Sequence, residues 1–221
     1  FPQKGVYVAS HDLSRPEVVG RLEAEIKAGC YKYIHFGLPC TSWSQMQLMN
    51  GGTRRTWKPE GDGTKPSEKA ANLLAASVAR LCHLQAGVGG YYSIENPRSS
   101  HVWHYPPVLS LLDVGFDVYF DQCMFGLRPP RVTQSSSCRI RKATCIRTNM
   151  KTLIDLECKC NRQHEHFHCL SSVKVEGKRV SVAAHAGRYP NLLASRWAKL
   201  ACRASRPRKG SGAATCATVS L

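Results

Sequence analysis

The chain changes character abruptly at residues 37–40. An apolar, strand-forming run, Tyr33-Ile34-His35-Phe36, ends in Gly37-Leu38-Pro39, and Cys40 then opens a polar, glycine-rich stretch beginning Thr41-Ser42-Trp43-Ser44. A thiol just past a strand end occupies the position where α/β folds collect reactive groups. A second run, Gly90-Tyr91-Tyr92-Ser93-Ile94, leads into Glu95-Asn96-Pro97-Arg98 and sets a carboxyl group at the same kind of strand end. Between them, Leu73, Leu74, Val78, Leu81 and Leu84 recur at the spacing of a helix with one apolar face, predicted over residues 66–86. Strand, helix and strand predict a βαβ unit, with Cys40 as nucleophile and Glu95 as acid on parallel strands.

Upstream, residues 5–9 read as a short strand with Asp12 following it. Ser14 and Glu17 have the spacing of a capping box around Pro16, opening a helix through Val18, Val19, Leu22 and Ile26 to Gly29. The long segment 44–65 carries Arg54, Arg55, Trp57 and Lys58 among glycines and prolines. It is expected to be a binding loop, with cations for phosphates and an exposed indole for bases, or else a plain disordered insertion. Trp103 is expected in the core, before a short helix over residues 106–112. Residues 115–121 alternate as a strand that runs into Cys123-Met124-Phe125-Gly126. Arg128, Arg131, Arg139, Arg141 and Lys142 then make a basic turn before another strand over residues 143–147.

Cys158, Cys160, His164 and His166 fall in one short block, and four such ligands suffice for a tetrahedral zinc. Their one-residue separations match no standard finger, and the alternative is that His164 and His166 are hydrogen-bonded fold residues. A last helix follows Asn191 through Leu192, Leu193, Trp197 and Leu200. Residues 203–221 read as a basic disordered tail.

Lysine and arginine total 31 against 15 acids, a net charge of +16, which favours a polyanionic partner over a merely soluble surface. With 43% apolar residues in 221, one core and a small subdomain are expected. Eleven cysteines at irregular spacing, without a basic-then-apolar leader, predict reduced thiols and a nuclear or cytoplasmic setting. No run of about 18 apolar residues is present, so no membrane partner is expected.

The order Pro39-Cys40, Glu95-Asn96-Pro97, Cys123-Met124-Phe125-Gly126 and His164-Glu165-His166 resembles the DNA cytosine-5 methyltransferases. Within that family it is most similar to the divergent methylase-like branch of protist genomes and retroelements, over roughly residues 6–202. The resemblance implies a Rossmann-like α/β core with a mostly parallel sheet and helices on both faces. That core is N-terminally incomplete, because the family's Gly-rich loop and a second acid do not precede Gly5, as in an excerpt of a longer protein. The implied organisation is a catalytic core over 1–148, a Cys/His-rich subdomain over 149–186, a returning helix over 187–202 and a tail over 203–221.

It also implies transfer of a methyl group from S-adenosylmethionine to cytosine C5. Cys40 and Glu95 are the implied catalytic pair, with Arg141 as the oxyanion partner. Asp12, Pro39 and Asn191 are implied on the cofactor, and Ser44, Asn96, Pro97, Arg54, Arg55 and Arg131 on a DNA substrate, with RNA left open. These residue types suit the chemistry. A thiolate adds at C6, a carboxylic acid near N3 shares a proton, and an arginine near O2 stabilises the developing charge. A base inside a duplex must first be flipped out, at a cost of a few kcal/mol. Other readings are an inactive nucleic-acid-binding descendant, a cysteine hydrolase using Cys40, His185 and Asn191, and a small zinc-stabilised structural protein.

Overall fold

The computed structural model describes residues 12–130, 137–167, 169, 172–175 and 177–205. The expected strand over 5–9, most of the basic tail and Arg131 lie outside the described residues. Helix α1 (Pro16–Lys27) leads to β1 (Tyr33–Gly37), then α2 (Pro66–Gly87), β2 (Tyr91–Pro97), α3 (Pro106–Leu109) and β3 (Phe116–Asp121). After β4 (Arg139–Ile140) and β5 (Ala143–Thr148) come β6 (His166–Phe167), the hairpin β7 (Ser172–Val175) and β8 (Lys178–Ser181), α4 (Val182–His185) and α5 (Asn191–Ser205).

The central sheet has the order β1-β2-β5-β3. β1 and β2 pair in parallel, with Gly37 opposite Glu95, as the intervening helix predicts. β5 runs antiparallel to both β2 and β3. The expectation of a mostly parallel sheet is therefore corrected to a mixed one in which two of three pairings are antiparallel. The cause lies between β3 and β5. No crossover helix is found in the described part of that connection, and without one a strand returns beside its predecessor in the opposite sense. β3 nevertheless points the same way as β1 and β2, so three strands end at one edge of the sheet.

Strand alternation sends side chains to two cores. On one face Ile34, Phe36, Tyr92 and Ile94 pack against α1, α2 and the turns around Trp103 and Val108. On the other, Tyr33, Val118, Phe120 and Ile146 pack against Leu153, Leu156 and the Leu193, Trp197, Leu200 face of α5. Helices thus cover both faces, and each large apolar side chain so buried contributes about 1.5–3 kcal/mol. The close approach of β3's entry to β5 requires Gly115, where a Cβ would stand 2.6 Å from the Thr148 carbonyl oxygen. No helix among the described residues is long and apolar enough to cross a membrane.

Two local expectations change. Glu17 is drawn to Arg15 instead of closing a capping box on Ser14. The turn before α1 is held by Asp12, whose Oδ1 accepts from the Ser14 N–H (2.9 Å) and hydroxyl (2.7 Å). Residues 44–65 are folded against α2. Glu68 accepts from the Thr53 N–H at 2.8 Å and from its hydroxyl, while the Arg54 guanidinium donates to Asn72 Oδ1 at 2.7 Å and to the Glu68 carbonyl at 3.0 Å. Arg54 also lies flat on the buried Trp43 ring, 3.5 Å from its centroid.

Beneath the first core, Arg147 is sealed in with Asp117. The two make a forked pair at 2.7 and 2.9 Å, and a further Arg147 nitrogen donates to the Val108 carbonyl at 2.9 Å. Removing one partner strands a buried charge, so Asp117→Ala is expected to destabilise by about 3–5 kcal/mol in urea unfolding. A loss under about 1 kcal/mol, the usual worth of an exposed pair, would contradict this arrangement.

Candidate active site

The edge where β1, β2 and β3 end carries the candidate chemistry. Cys40 is exposed and free, three residues beyond β1. Its loop is fixed from both sides. The buried Asn96 of β2 donates from Nδ2 to the Leu38 carbonyl at 2.8 Å, and the Cys40 carbonyl accepts from Trp43 and Ser44 N–H at 3.1 and 2.9 Å. The strand of Glu95 extends further than expected, so Glu95 lies within β2 and is buried.

Both Glu95 oxygens are accounted for differently. Oε2 accepts from the Tyr189 hydroxyl at 3.1 Å. Oε1 lies 3.3 Å from Lys142 Nζ, an ion pair without hydrogen-bond geometry, so this buried oxygen keeps a lone pair unused. Gly37 pairs opposite Glu95 and Asn96 holds Leu38, so the Cys40 loop starts beside the strand that carries Glu95 and its partner Lys142.

Behind Glu95 runs a chain of hydrogen bonds through β1, β2 and α5. The Trp197 indole N–H donates to the Tyr33 oxygen at 2.8 Å, and Tyr33 meets Ser93 Oγ at 2.5 Å. Ser93 meets His35 Nδ1 at 2.8 Å, and His35 Nε2 meets the Tyr189 hydroxyl at 3.1 Å. An indole can only donate and a carboxylate can only accept, so every hydrogen between them is assigned in one direction, toward Glu95. The assignment places the His35 proton on Nε2. It requires a neutral ring, and burial between Trp197 and Tyr189 lowers the His35 pKa from 6.5 to about 4. Burial likewise raises Tyr189, with Glu95 adding to the effect, so Tyr189 stays a donor.

Next to the Cys40 loop is a cleft of about 490 Å³ lined by Asp12, Pro39, Thr41, Trp43, Gln47 and Leu74, among others. Asp12 and Pro39, both expected on the cofactor, are thereby brought together. Asn191 is not with them, since it opens α5 on the opposite face of the sheet.

The remaining expected residues separate. Ser44 caps the turn Gln45–Asn50 through its side chain, and Pro97 ends β2 with its carbonyl accepting from Trp103 Nε1 at 2.8 Å. Arg54 is buried and holds the loop, leaving no surface for a phosphate, while half-buried Arg55 donates to the Arg54 carbonyl at 2.8 Å. Exposed Arg141 stands 3.6 Å from Asp121, and its neighbour Lys142 is the cation at Glu95. Cys160, His164 and His166 converge as expected, but their fourth companion is Cys123, and Cys158 instead accepts through its carbonyl from Asp121 N–H. His185, the base in the hydrolase reading, meets the Arg128 carbonyl at 3.0 Å through Nε2.

Sequence reasoning missed His35, Lys142 and Tyr189 as members of this site. Tyr189 had a signal, its place just before the last helix. His35 and Lys142 had only proximity to Cys40 and Arg141, respectively. Comparison with protein-family models, curated proteins and solved structures returned no match.

The depressed pKa of His35 has a definite sign. From pH 6.5 down to about 4 the unfolded chain takes up a proton that the folded chain refuses, so stability falls as pH falls through this window. The His35 share of the loss between pH 7 and pH 5 is about 2 kcal/mol. Urea midpoints at the two pH values are expected to show it in the native chain and to lack that part in His35→Asn. Equal pH dependence in both would remove His35 from this role.

Proposed function

We propose that this chain is the catalytic region of a DNA cytosine-5 methyltransferase, with a Rossmann-like methyltransferase core. The observation that carries the reading is the exposed Cys40 thiol in the same neighbourhood as a buried carboxylate. The loop of Cys40 leaves β1 at Gly37, opposite Glu95, whose carboxylate has one oxygen fixed by Tyr189 and the other, beside Lys142, still short of a hydrogen bond. A closed structural ion pair would leave no such vacancy.

The sheet supports the same reading. Three co-directed strands end at this edge, with one reversed strand between β2 and β3, and the cleft opens beside the first of them. The cleft fits part of S-adenosylmethionine. Asp12 offers a carboxylate to an adenine amine, and Pro39, Trp43 and Leu74 offer apolar walls. Bound there, S-adenosylmethionine supplies the methyl group.

The chain's own residues do the rest. The Cys40 thiolate forms the C–S bond at cytosine C6, and the displaced ring electrons collect toward N3 and O2 while C5 becomes nucleophilic. Glu95 meets the charge at N3. With Oε2 filled by the Tyr189 hydrogen, any proton Glu95 carries must sit on Oε1, the oxygen with unused capacity, so the carboxyl has one orientation in which to donate. Lys142, beside Oε1, takes the electrostatic part first assigned to Arg141. Loss of the C5 proton to a base then expels the Cys40 thiolate and restores the ring. The net charge of +16 supplies backbone attraction, and exposed Trp57 offers a ring to a base.

A duplex carrying 5-fluorocytosine tests the reaction, because fluorine blocks the final elimination. Incubation with S-adenosylmethionine is expected to give a covalent adduct on a denaturing gel that Cys40→Ala does not form. An adduct that survives Cys40→Ala, or none with the native chain, would sink the proposal. Tyr189→Phe removes one hydrogen bond to a charged group, worth about 1.5–3 kcal/mol, and is expected to slow adduct formation about 10- to 100-fold while Cys40 alkylation by iodoacetamide is unchanged.

A further inference from the structure

The strongest cluster outside the cleft lies where the end of β3 meets the segment before β6. Buried Cys123, in the turn Gln122–Phe125, faces half-buried Cys160 and His164 and exposed His166, and one ligand atom from each lies within 4.8 Å of all the others. Cys160 Sγ is 3.6 Å from His164 Nε2 and 3.3 Å from His166 Nε2, and the two Nε2 atoms are 3.2 Å apart. A tetrahedral zinc, with bonds of about 2.0–2.1 Å to nitrogen and about 2.3 Å to sulfur, spaces its nitrogens about 3.3 Å apart and a sulfur about 3.6 Å from a nitrogen. The separations among Cys160, His164 and His166 are those of atoms sharing one small ion, with the Cys123 sulfur within reach of the same point.

The backbone around Cys160 points the same way. Arg162 is, among the described residues, the one non-glycine with positive φ, at 59°, and this turn directs its N–H onto Cys160 Sγ at 3.4 Å. Asp121 Oδ2 accepts from the Cys160 N–H at 2.9 Å, and Arg139 donates to the Cys123 carbonyl at 2.8 Å. A strained residue that gives its N–H to a sulfur is explained if that sulfur is a thiolate. The flanking bonds are those that orient ligands around a metal.

We propose that Cys123, Cys160, His164 and His166 bind one zinc ion as a closed, structural site. Binding displaces the two thiol protons to solvent, and the imidazoles bind neutral through Nε2. With four protein ligands no position is left for a reacting water. The ion joins the end of β3 to β6, and β6 pairs with β4, so it fixes the strand that precedes Lys142. It is a staple between the small Cys/His-rich region and the Glu95 site, independent of whether that site transfers methyl groups.

Metal content of the purified full-length chain tests this. About one zinc per chain is expected by elemental analysis, and cobalt substitution is expected to give the intense visible bands of a tetrahedral ion with thiolate charge transfer. Cys123→Ser is expected to lose the ion, whereas Cys158→Ser retains it. A native chain that takes up no zinc from a chromophoric chelator, or metal lost from Cys158→Ser and kept by Cys123→Ser, overturns the assignment. If Cys123→Ser yields no soluble protein, His166→Cys decides, because it replaces one ligand by another. Retained metal with cobalt bands shifted toward three sulfurs supports the site, and unshifted bands exclude His166 from it.

Discussion

The carboxylate of Glu95 is aimed by a hydrogen-bond chain that can run in only one direction. Trp197 supplies the donor-only end and Glu95 the acceptor end, with Tyr33, Ser93, His35 and Tyr189 between them. The members come from β1, β2, the segment before α5, and α5 itself, so the docking of α5 and the orientation of the candidate acid are one event. Low dielectric strengthens such a chain when every member is satisfied, and makes a missing member costly. In the proposed reaction this is what leaves Oε1, and not Oε2, as the oxygen that handles a proton.

Cationic side chains divide into two populations with different work. Arg54 and Arg147 are buried, Arg54 on the Trp43 ring and Arg147 over Trp103, and each donates to backbone carbonyls, so they hold the loop after Cys40 and the floor under β5. A planar guanidinium suits this because it offers several donors in fixed directions while its face rests on an aromatic ring. Lys142 faces Glu95, and the exposed remainder carries the long-range field of a strongly basic chain. Counting charges predicts that field but does not say which arginines are free to make it.

The reversed strand β5 connects these parts. Returning antiparallel beside β3, it delivers Lys142 at its start to Glu95 and Arg147 near its end to Asp117. The turn that precedes it carries β4, paired with β6 beside the Cys/His cluster. A parallel strand in that slot would have put its first residue at the opposite edge of the sheet, away from Cys40.

Much of this framework was legible in the chain. The 3.6-residue periodicity of α2 and the apolar runs on either side required a parallel β1-β2 pair, and the Gly-Leu-Pro break before Cys40 placed the thiol past a strand end, because these are local consequences of side-chain size and backbone freedom. Glu95 was recognisable as a carboxyl group on the neighbouring strand, and Cys160, His164 and His166 as a cluster. Other features were decided only by tertiary structure. Arg54 looked like a surface cation until α2 and Trp43 enclosed it. Cys158 and Cys160 both lie near the histidines in sequence, yet only Cys160 meets them, and Cys123 arrives from the turn after β3. Tyr189 and Lys142 meet Glu95, and His35 meets Tyr189, across separations that no local pattern encodes. Hydrogen bonds and ion pairs of that kind depend on which elements pack together, and packing is a property of the whole chain.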